Sequence, residues 1–153
     1  MPIQIWNKFT EMLSVTDDAK EPRDPLHVAT AALMIHVSLT HEDIGDSEKQ
    51  AVLLSIQNHF DLQESEALKV FEKAYEHHNE STDLYRFTRV IMEEMEYEQQ
   101  KEIVRLLYRV AFADNHLEHF EEHIVTRIAS LLGVGPKDRV AMKQQVRAEI
   151  SEE

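Results

Sequence analysis

A chain of 153 residues with 42% hydrophobic side chains is sized for one domain and can bury a core without covalent staples. Sixteen basic against 29 acidic residues leave a net charge of −13, which speaks against nucleic-acid binding and for cations or basic protein segments as partners. With no cysteine, disulfides and thiolate metal sites are excluded, and three glycines and four prolines argue against a turn-rich β architecture.

The apolar spacing is helical from end to end, which predicts an all-α, single-domain bundle of about seven to eight helices. Residues 1–20 hold an N-terminal amphipathic helix with Ile5/Trp6, Phe9 and Met12/Leu13 on one face. They lack a cationic start and a long apolar run, so no signal peptide is expected. Ala31 to Ile35 is the longest apolar run, too short to span a membrane, and a cytoplasmic location is expected. Residues 24–150 form the main domain. Asp24-Pro25 reads as N-cap and first helical residue of a helix reaching about Thr40, apolar nearly all round and therefore central. Helices over 46–60 and 62–78 follow, broken at Asp61. The next is capped at Ser81, Thr82 or Asp83 and places Leu84, Phe87, Ile91 and Met95 inward. Residues 97–113, then 118–132 stopped by Gly133, then Pro136 to about Ile150 complete the set.

Two stretches resemble each other. VSLTHEDIGDSEKQAV (37–52) lies over VAFADNHLEHFEEHIV (110–125) with a shift of 73, and HFDL (59–62) over LLGV (131–134) with a shift of 72. The pattern predicts two pseudo-repeated helix-loop-helix halves. His36 aligns with Arg109, and a polar group at both places predicts a solvent stripe or groove.

His119 to His123 reads HFEEH, the inverted zinc-hydrolase pattern. At about 100° per residue, Leu117, Phe120, Ile124, Ile128, Leu131 and Leu132 form the core arc. His119, Glu122, His123, Thr126 and Ser130 fall on the opposite arc, in water. A catalytic zinc needs a third ligand and a dry cleft, so a His/Glu metallohydrolase is the weakest reading. Glu121 sits on the inward arc. With position 118 as N-cap it is the third helical residue, as Glu48 is if Gly45 is the N-cap. Both then fit a capping-box glutamate. The functional alternative joins Glu121 to Asp114 and Glu118 as oxygen ligands of a hard divalent cation. Val125, where an EF-hand carries its last glutamate, excludes that motif.

DLYRFTR (83–89), YE (97–98), the acidic stretch from Ala113 to His123 and FDLQESEA (60–67) resemble the tellurite-resistance protein B (TerB-like) family, in its stand-alone branch, over about residues 25–145. The resemblance implies an all-helical fold of two pseudo-repeated halves. It also implies a candidate divalent-cation site in each half, on an Asp-Gly-acidic loop with a following glutamate. Asp114, Glu118 and Glu121 match that pattern in the second half, with Asn115 in place of the glycine. In the first half His41 stands for the aspartate and Glu42 for the glycine, while Asp43 and Glu48 remain acidic. An imidazole in place of a carboxylate tilts that loop from calcium or magnesium toward a transition metal.

Asp83 with Arg86 and Arg89 is a candidate anion seat; the structural reading is a cap with arginines paired to nearby glutamates. His77-His78 reads as a favourable helix C-terminus. With no Gly-rich phosphate loop or nucleophile elbow, the expectation is a non-enzymatic module. It would bind a cation and dock a partner, a basic protein or a membrane-associated stress complex, in tellurite, oxyanion or general stress response. The alternative is a metal-free acidic interaction module.

Overall fold

The computed structural model describes residues 24–39, 44–80, 84–113 and 119–152; the side chains of 78–80, 119 and 120 lie outside the description. Within these residues every regular element is a helix: α1 Pro25–Ser38, α2 Asp46–His59, α3 Glu64–Glu80, α4 Leu84–Glu94, α5 Tyr97–Ala111, α6 His119–Leu131 and α7 Pro136–Ser151. The all-α expectation holds, with seven helices among the described residues. The N-terminal helix predicted over 1–20, and the caps at 81–83, lie outside them.

α1 starts as its sequence dictates. Pro25 occupies a position whose N–H has no helical partner, and the Asp24 carboxylate accepts the Leu26 N–H at 2.9 Å. Because α1 is apolar on every face, it can only be buried from all sides, and α2 to α6 pack around it. Leu33, Met34 and Ile35 are fully buried, each contributing roughly 1.5–3 kcal/mol relative to exposure. The buried hydroxyls of Thr30 and Ser38 donate to Leu26 O and Met34 O at 2.8 and 3.0 Å, so this core carries its polar atoms at little cost. α7 packs on α5 and α6.

Helix ends repeat across the chain. α1 and α5 end at Ser38 and Ala111, and α2 and α6 open at Asp46 and His119, so both boundaries lie 73 residues apart. The stops of α2 and α6 are alike as well. Asp61 and Gly133 both take the left-handed conformation, with φ of 54° and 81°. The following N–H closes back onto the helix in each case, Leu62 N to Gln57 O and Val134 N to Ala129 O, both at 2.9 Å. This is the glycine-type helix stop, and it accounts for the predicted breaks at Asp61 and Gly133.

Candidate functional site

Glutamate or glutamine at the third helical position recurs as a device in this fold. The Gln63 N–H donates to Glu66 Oε1 and the Glu96 N–H to Gln99 Oε1, both at 2.9 Å, at the starts of α3 and α5. Gly45 is the N-cap of α2, the condition under which the sequence reading makes Glu48 the third residue, and Glu48 holds that position. Its carboxylate folds back over Gly45, where an added methyl would lie 2.5 Å from Oε2, and it accepts the Ser47 hydroxyl at 3.1 Å.

α6 opens at His119, so Glu121 holds the same third position. It is 6% exposed, one of the few buried polar residues and the one charged group among those described, which matches the inward arc read from the sequence. It lies in the turn where the positive end of the helix favours a carboxylate. Asp114, Glu118, His41 and Asp43 lie outside the described residues. Of the six candidate ligands, Glu121 and Glu48 are therefore placed, each in the first turn of its own helix. Among the described residues no group of three or more histidines and carboxylates is gathered as for a metal ion.

The outward arc of α6 departs from the sequence reading. His123 is exposed, as expected, and the side chain of His119 lies outside the description. Glu122, expected in water, is not there. It is 26% exposed and accepts Lys143 Nζ at 3.0 Å and Arg139 Nη1 at 3.3 Å, both from α7. Arg139 Nη1 also donates to the hydroxyl of the fully buried Tyr108 at 2.8 Å. Burial pushes the Tyr108 phenol up to about 12, and the bond to Tyr108 raises Arg139 in turn. The cluster clamps α5, α6 and α7 together. Thr126, also assigned to water, is half-buried with its hydroxyl donating to Glu122 O at 2.8 Å.

A second cluster joins α1 and α2. The His27 ring lies 4.1 Å from that of Phe60, between centroids, and its Nε2 stands 3.3 Å from Asp24 Oδ2. Desolvation lowers the pKa of both His27 and His59; Asp24 and Glu66 oppose this at His27, and Glu102 opposes it at His59. In the DLYRFTR segment, Asp83 lies outside the described residues, and Arg89 lies over the Tyr85 ring at 5.2 Å. No helix among the described residues is long and apolar enough to cross a membrane.

A comparison with curated proteins and one with solved structures gave no match. The family model described as "Tellurite resistance protein TerB" matches residues 27–144, which run from the first turn of α1 into α7 and take in both acidic sequence stretches and the clamp on Glu122. On that span, the chain belongs to the TerB family, a tellurite-resistance-related helical module.

Proposed function

We propose that this chain is a non-enzymatic, cytoplasmic TerB-family module that binds a divalent cation at the acidic loop preceding α6 and docks a partner in the response to tellurite, other oxyanions or general stress. The observation that carries the reading is Glu121, a carboxylate 6% exposed in the first turn of α6, with Asp114 and Glu118 seven and three residues before it in the sequence. Neighbouring carboxylates repel unless one is engaged by the backbone or a cation lies between them. A bound calcium, magnesium or transition-metal ion converts that repulsion into attraction and ties loop order to the ion. The first-half loop, with His41, Asp43 and Glu48, is the weaker second site.

Partner docking is supported by the net charge of −13 and by the outer face of α4. There Tyr85 and Met92, 55% and 48% exposed, flank Arg89 at helical spacing. The test is a set of thermal melts with calcium, magnesium, manganese and zinc. Ligand present at about a hundred times its Kd stabilises by about 2.7 kcal/mol. Asp114→Asn should reduce the metal-induced rise and leave the metal-free midpoint near wild type. Glu121→Gln should lower the metal-free midpoint, and His119→Ala with His123→Ala should change neither. A metal-induced rise lost only in the double-histidine variant, or no rise with any of these ions, refutes the reading.

A further inference from the structure

Between α2, α5 and the last turns of α7 lies a cavity of about 680 Å³. Part of its wall is apolar, formed by Leu54 of α2, Leu106 of α5, Phe112 just past the end of α5 and Ile150 of α7. Leu54 is 55% exposed, a large apolar side chain left facing solvent. Arg105 and Arg109, one helical turn apart on α5, also line the space and share one carboxylate. Glu149 Oε1 lies 3.1 Å from Arg105 Nη1 and 3.6 Å from Arg109 Nη1. Among the described lining residues, Glu149 is the acid that both guanidiniums share. Glu102, which takes the Nε of Arg105 at 2.9 Å, stands outside the lining.

The geometry points to a binding site for an amphiphilic anion: a carboxylate head on the Arg105–Arg109 pair and an apolar body over Leu54, Leu106, Phe112 and Ile150. Glu149 is the internal stand-in for that head. The volume lies within the range of small-ligand sites, and an apolar wall with a few convergent polar groups is their usual composition. Guanidinium forks match a carboxylate in two parallel bonds, and side chains only 20% and 32% exposed hold their orientation. Glu149 can yield its place because it sits on the last turn of α7, already 32% exposed, and regains water when it swings out. A neutral head gives no such exchange. A polyanion is disfavoured by the net charge of −13. The inference does not depend on the cation reading.

Decanoate is a suitable probe of the full chain, followed by methyl NMR, with decanol as its neutral counterpart. Saturable shifts should centre on Leu54, Leu106 and Ile150, with decanol weaker by about tenfold or more. Glu149→Gln should tighten decanoate several-fold, and Arg105→Gln with Arg109→Gln should weaken it by about tenfold or more. Leu54→Asp, at an exposed position that the fold tolerates, should abolish the shifts. Equal affinity for decanol, indifference to the arginines, or no saturable shift overturns the proposal. Concentration-dependent self-association that moves the same methyls without decanoate overturns it too, and assigns the groove to a second copy.

Discussion

Glu122→Gln tests the clamp that joins α6 to α7. The change keeps the shape of the side chain and removes the charge that Arg139 and Lys143 share. The three side chains are 26%, 17% and 24% exposed, neither on the surface nor fully buried. Breaking an exposed pair costs about 0.2–1 kcal/mol, and breaking a buried one about 3–5. With about a quarter or less of each side chain in water, an intermediate cost of about 2 kcal/mol is expected. A domain of this size loses about 2–4 °C per kcal/mol, so the midpoint should fall by about 4–8 °C. The assay is thermal unfolding by circular dichroism, at low salt and again at high salt. Half-burial limits screening, so most of the loss should persist at high salt. Lys143→Met alone should cost less, and Glu122→Gln with Lys143→Met should cost less than the two single losses added, since the lysine no longer lacks its partner. A shift under about 1 °C, or full additivity, would refute the clamp.

The two left-handed helix stops make an opposed pair of predictions. Asp61→Gly should raise the melting midpoint and Gly133→Ala lower it, each by the equivalent of about 1 kcal/mol. No atom lies within 4 Å of an added methyl at Gly133, so a loss there reports backbone conformation alone, and unchanged midpoints would refute it. Tyr108→Phe removes the acceptor of a half-buried guanidinium bond and should cost about 1–3 kcal/mol in a urea melt. Stability should also fall with acid. His27 and His59 have lowered folded pKa values, so the unfolded chain binds more protons, and the loss starts as pH drops through about 6.5 and ends at the folded values. His59→Gln should flatten the denaturation midpoint between pH 7 and 5, and an unchanged slope would exclude this origin.

Much of this protein follows from the sequence because helix starts, stops and faces are local properties. Asp24-Pro25 specifies the start of α1 through one cap bond and one fixed dihedral, and Gly133 ends α6 because a left-handed residue costs it nothing. An α1 with no polar face had to be central. The inward direction of Glu121 was legible for the same reason, since the angle around one helix axis depends on that helix alone. The fate of the opposite arc was not. His123 and Glu122 were assigned together to water, and His123 does face it. α7, however, returns over α6 and brings Arg139 and Lys143 onto Glu122. The meeting of Arg105 and Arg109 with Glu149, some 44 residues along the chain from Arg105, was equally invisible. Helical periodicity determined which side chains share a face. Only the packing of one helix on another decided whether that face meets water, an ion pair or an open groove, because burial is a property of neighbours that the sequence places far apart.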